Sequence, residues 1–162
     1  MADENFTLTT FYKQWGEYQD RIKASVAPLT AEQLALRAAP NLRSIGENAA
    51  HIIGCRAGWF TFVLKEDASD AVKAYAEWDE ATPRTAAELA QALDDTWQLM
   101  ATCIARWSDA DMQQIFPDEQ DGVIVQLSRA WVVWHVLEHD LHHGGEVSLT
   151  LGMHGIPTTF TS

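Results

Sequence analysis

Leu8, Phe11, Trp15, Tyr18 and Ile22 recur at intervals of three and four, which stacks them on one face of an α-helix. Pro28 lacks a backbone donor and predicts the end of that helix. A second stripe, Ile45, Ala49, Ile52, Phe60 and Val63, follows Ser44 and Glu47, which have the spacing of a capping box. It predicts a helix from about residue 44 to about residue 65. Thr30 and Gln33 stand in the same relation and predict a short connecting helix. Thr85 with Glu88 repeats the signature, and Leu89, Leu93, Trp97, Met100, Ile104 and Trp107 then hold a stripe for roughly five turns. The last helix is expected to begin between Val123 and Ser128 and to run to Gly152, with Pro157 beyond it. Its start is ambiguous because Val123-Ile124-Val125 also reads as a short extended piece.

No repeat, low-complexity tract or second domain interrupts this pattern, so residues 1–162 read as one all-α domain, a four-helix bundle. About 18 residues, Asp67 to Arg84, separate the second stripe from the third, and at roughly 3.3 Å per extended residue they can cross the length of a bundle. The second helix therefore need not run antiparallel to the third. Within this crossover, Glu77-Trp78-Asp79-Glu80 reads as a solvated acidic loop.

Charge narrows the choice of partner. Eleven basic against 23 acidic residues leave a formal net charge of −12. With no basic stripe there are few cations to displace counterions from phosphates, which argues against nucleic acid and against an anionic membrane surface. The start, Met1-Ala2-Asp3-Glu4-Asn5-Phe6, lacks the basic-then-apolar order of a signal peptide, and no long uncharged apolar run follows, so the expectation is a cytoplasmic protein. Cys55 and Cys103 are the only cysteines and form no CxxC pair, which excludes a disulfide framework and a four-cysteine zinc site. A small-molecule substrate remains the expected partner.

Four of the six histidines fall in one segment of the last helix, His135, His139, His142 and His143. Residues four apart on a helix lie about 6 Å from each other at Cβ, so two imidazoles at that interval can reach one metal ion. Both His135/His139 and His139/His143 qualify. At about 100° per residue, Val132, Val136, His139, His143 and Val147 share one arc facing a core, which favours the second pair. Two ligands leave an ion short of four, and His51, among apolar neighbours in the second helix, is the candidate third. Cys55, one turn after His51, is a rival ligand or a small buried hydrophobe. Glu47 either caps its helix or orients a ligand, and His142 and Glu146 lie at the edge of the arc, between solvent and a supporting role.

Other chemistries fail on spacing. The paired ExxH of di-iron bundles, the HExxH of zinc peptidases, the GxGxxG and P-loop of nucleotide sites and a serine nucleophile elbow are all missing. Seven tryptophans could line an aromatic pocket, but Trp15, Trp97 and Trp107 fall on core stripes. Val133, Trp134, Leu137 and Leu141 form a second apolar face on the last helix, opposite the histidine pair, and predict a homodimer interface.

Ser44-Ile45-Gly46-Glu47-Asn48-Ala49-Ala50-His51-Ile52, together with His135-x3-His139-Asp140-Leu141-His142-His143-Gly144-Gly145, resembles the DinB/YfiT superfamily of small helical-bundle proteins. Leu29-Thr30-Ala31-Glu32-Gln33-Leu34 and Trp107-Ser108-Asp109-Ala110-Asp111 are also similar, so the likeness spans nearly the whole chain. The resemblance implies a bundle of up-down-down-up order in which His51, His139 and His143 hold a divalent ion, zinc or nickel, and it implies a dimer. The implied activities are metal-dependent hydrolysis and thiol S-transfer, the latter with a low-molecular-weight thiol. The competing expectation is a non-catalytic protein whose ion stabilises the bundle or a dimer. One departure is Gly144, where relatives often carry arginine. Gly144 and Gly145 each cost roughly 1 kcal/mol in a helix; close helix packing is the more usual reason for such glycines and local distortion the alternative.

Overall fold

A computed structural model describes residues 6–160, with side chains from residue 8. Four long helices make the bundle, α1 (Phe6–Val26), α3 (Ile45–Gly58), α5 (Ala86–Arg106) and α7 (Arg129–Met153). Three short ones connect them, α2 (Ala31–Leu34), α4 (Asp70–Tyr75) and α6 (Asp109–Met112).

Local chemistry explains where these helices start. Thr30, Ser44, Thr85 and Ser108 each close a capping box with the residue three positions on, and Ser69 and Ser128 cap α4 and α7 through their hydroxyls. The second predicted helix is correct in extent but not uniform. After Gly58 it widens into a π-helical turn, Trp59–Val63, and Lys65 then takes a left-handed backbone with φ 59°, which ends it.

One expectation is corrected at the start of the last helix. Val123–Ser128 is a strand, β2, paired antiparallel with β1 (Ile115–Gln120), and α7 begins only at Arg129. Asp121 and Gly122, both at positive φ, form the two-residue turn, and Gln120 faces Val123 across it. The strand belongs to a hairpin beside the bundle and adds nothing to the length of α7.

Long-range contacts fix the order of the helices. Along α1, Gln19 and Lys23 meet Leu93 and Asp94, whereas Gly16 lies against Trp97, so α1 and α5 are antiparallel. Trp15 meets Asp140 and Tyr18 lies against Gly144, so α1 and α7 are parallel. His51 lies by His143 and Trp59 by Trp131, which makes α3 and α7 antiparallel. Arg56 reaches Leu93 while Phe60 stacks on Trp107, which makes α3 and α5 parallel. That is the up-down-down-up order, with residues 64–85 as the long crossover.

Two clusters fill the interior. Ile22, Ile45, Ile53, Leu93 and Leu151 belong to one, and Trp15, Phe60, Met100, Val132 and Val136 to the other. Leu8 and Phe11, which continue the stripe of α1, are exposed, so its buried face begins at Trp15. The second apolar face of α7 is likewise only partly open. Trp134 and Leu141 are exposed, but Val133 is buried in the core and Leu137 packs against it. No helix among the described residues is long and apolar enough to cross a membrane.

Candidate metal centre

The histidines meet where α3 and α7 run antiparallel. Ser44 fixes the start of α3, and two turns later His51 projects toward α7. His139 and His143, one turn apart, stand opposite. The ring centroid of His51 lies 4.5 Å from that of His143 and 5.3 Å from that of His139, and the latter two are 5.3 Å apart. One ligand atom from each of the three lies within 4.8 Å of the other two, so the group could hold a metal ion. The arc Val132, Val136, His139, His143 and Val147 faces the interior, with His143 and the three valines buried.

Two carboxylates orient the rings. Glu146 Oε2 lies 2.8 Å from His143 Nδ1, so Glu146 has the supporting role, whereas His142 is exposed and 3.5 Å from the other carboxylate oxygen. Glu80 Oε1 lies 2.5 Å from His51 Nδ1, and its second oxygen accepts from Arg43 Nε at 2.8 Å. The acidic crossover is therefore not simply a solvated loop: Glu80 turns inward because an imidazole and a guanidinium are both available to it. Burial opposes ionisation of both carboxylates, but hydrogen bonds from His51 and Arg43 hold Glu80 below its ordinary range, and His143 does the same for Glu146. Glu47 has no such role. Its oxygens serve the Ser44 backbone and Arg37, and the Arg37 guanidinium keeps it ionised.

His139 lies at the middle of the cluster. Burial, followed by the neighbouring His135, His143 and His51, lowers its pKa to about 4, so at neutral pH one of its two ring nitrogens carries a free lone pair. Its Nδ1 is buried without a hydrogen-bond partner. A cation supplies what such a nitrogen needs, and three imidazoles with two flanking carboxylates fit a divalent ion.

His135 sits one turn away from the triad, its ring stacked on Trp131 at 4.9 Å and 11° and edge-on to Trp59 at 4.9 Å. Cys55 faces it from α3, and burial raises the Cys55 pKa strongly. On the other side of the triad is a cavity of about 100 Å³, lined by Arg43, Asn48, Glu146 and Thr150 among others. The side-chain oxygen of Asn48 is buried without a hydrogen-bond partner.

The residues that position this centre were only partly visible in the sequence. Glu80 lies 29 positions from His51 in a loop, and no spacing rule connects them. Arg56 and Asp140 are fully buried beside the histidines: Arg56 Nη2 donates to Asp140 Oδ2 at 2.7 Å, and Trp15 Nε1 donates to the same oxygen at 2.6 Å. The one available signal was an aspartate directly after His139, in the middle of the helix.

Known proteins share the fold that carries this site. A DinB-like protein from Bacillus cereus has the same fold with a TM-score of 0.66 at 16% identity, over 94% of this chain and 95% of the other. YfiT from Bacillus subtilis, described as a probable metal-dependent hydrolase with an unusual four-helix bundle topology, follows at 0.63 and 12%, over 90% and 89%. A conserved protein from Enterococcus faecalis matches at 0.58 and 12%, over 92% and 96%. These identities speak for the fold alone. No curated protein matches the chain by sequence. The family model of the DinB superfamily matches residues 14–147, a span that contains His51, His139 and His143, and the chain belongs to that superfamily.

Proposed function

We propose that this protein is a metal-dependent enzyme acting on a small molecule, with a divalent ion, zinc or nickel, held by His51, His139 and His143. The observation that carries the reading is the convergence of these three imidazoles, from two helices, to within 4.8 Å at their ligand atoms. Glu80 and Glu146 occupy Nδ1 of His51 and His143, which leaves Nε2 of each as the donor. Three nitrogen ligands with positions left open is the pattern of a catalytic rather than a sealed site.

When bound, such an ion would supply either a water activated by a pKa lowered toward about 7, for hydrolysis, or a binding position for a thiolate, for S-transfer. The description of the Bacillus subtilis neighbour favours hydrolysis. The protein's own residues supply the rest. Glu80 and Glu146 fix the tautomers and aim the rings, and Arg43 holds Glu80 in place.

Zinc affinity tests the ligand set. In a Cys55→Ser background, where the rival ligand is absent, His51→Ala should weaken zinc by more than the ~10–100-fold typical of losing an outer partner. Equal affinity in that background with and without His51→Ala would refute the assignment.

A further inference from the structure

We propose that the same helix pair carries a second metal station, formed by Cys55, His135 and His139, for a thiophilic ion of the zinc class. His51 and Cys55 are one turn apart on α3, and His143, His139 and His135 follow at one-turn steps along α7 in the opposite direction. The two helices thus face each other as ladders of ligands. One end gives the three-histidine group, and the next step along gives Cys55, His135 and His139, whose ligand atoms also lie within 4.8 Å of one another.

Three further observations support this. The ring of His135 is braced by Trp131 and Trp59, and its contact with Glu138, 3.8 Å from Nδ1, is too long for a hydrogen bond. His139 belongs to both groups and has a buried nitrogen without a hydrogen-bond partner. Sulfur with two imidazoles is a ligand set that selects zinc-like ions over magnesium or calcium. Binding there replaces the thiol proton, which leaves to solvent, with the ion, and no electron is transferred. Because His139 is shared, the two stations are alternatives, filled one at a time. Loss of the three-histidine group therefore moves the ion about one turn along α7 instead of releasing it. The proposal rests on the three-histidine reading only for the order in which the stations fill.

Cobalt(II), used as a spectroscopic substitute for zinc, separates the two, because only the Cys55 station gives a thiolate-to-cobalt charge-transfer band. Wild type with one equivalent should lack the band. His51→Ala should show it, as should His143→Ala, which guards against a folding defect in the first variant. Adding Cys55→Ser to either should abolish it, and adding Cys103→Ser should not. No band in either single variant, whether cobalt is unbound or bound without sulfur, would overturn the proposal, as would a band that survives Cys55→Ser. A Cys55-dependent band in wild type at one equivalent would keep the station and overturn instead the precedence of the three-histidine site.

Discussion

Glu80 shows how much a single side chain adds to the centre. His51 alone is a partly buried imidazole with freedom at its ring, and the carboxylate on its Nδ1 fixes both its tautomer and its direction. Glu80→Gln keeps the shape but replaces the charged acceptor with a neutral one, and the amide must choose between accepting from His51 and accepting from Arg43. The expected outcome is zinc binding ~10–100-fold weaker with the fold unchanged, measured by calorimetric titration and circular dichroism. Unaltered affinity would reduce Glu80 to a surface acid. Helical spacing singled out His139 with His143, and the apolar neighbours of His51 together with the family resemblance added the third residue; the structure brings the three rings together. Glu80 was hidden because a loop residue's target depends on where the chain returns, and no local pattern records that.

Among the elements, α7 bears most of the constraints. A Cβ on Gly144 would lie 2.6 Å from the Tyr18 hydroxyl oxygen and 2.9 Å from its ring, so the glycine lets α1 approach, while Gly145 has nothing within 4 Å. The two neighbours should therefore respond oppositely to alanine. Gly145→Ala should stabilise by up to ~1 kcal/mol through helix propensity. Gly144→Ala gains the same propensity but displaces Tyr18 from the Leu141 carbonyl it donates to, at an overpacking cost of ~1–3 kcal/mol, so it should be neutral to destabilising. Urea unfolding of the two variants checks the contrast, and a Gly144→Ala protein as stable as Gly145→Ala would contradict it. The expectation that glycine permits close packing holds at one position of the pair. The helices themselves were legible from their stripes and caps. The hairpin was half legible: Asp121-Gly122 is its signal, but Ile115–Gln120 contains Pro117 and three polar residues and gives no strand pattern on its own.

For the molecule as a whole, the centre is anchored by a buried polar network that spans all four long helices. Arg56 of α3 pairs with Asp140 of α7 and donates to Gln19 of α1, while Gln19 and Arg56 both reach the Leu93 carbonyl of α5. Asp140 directly follows His139, so this network also sets the rotation of α7 and the direction in which its histidines point. Asp140→Ala leaves the Arg56 guanidinium buried without its counter-ion and should cost ~3–5 kcal/mol, seen as a lower urea midpoint. A loss below 1 kcal/mol would mean that apolar packing alone fixes α7. Nothing in hydrophobic periodicity announced this network, since the Arg56–Asp140 pairing depends on the antiparallel register of α3 and α7.

Anomalous diffraction from zinc-soaked crystals is the most direct test of the whole account. The expected result is one peak at ~2.0–2.1 Å from a ring nitrogen of each of His51, His139 and His143. A peak bound to fewer than these three, or no zinc between α3 and α7, would contradict it.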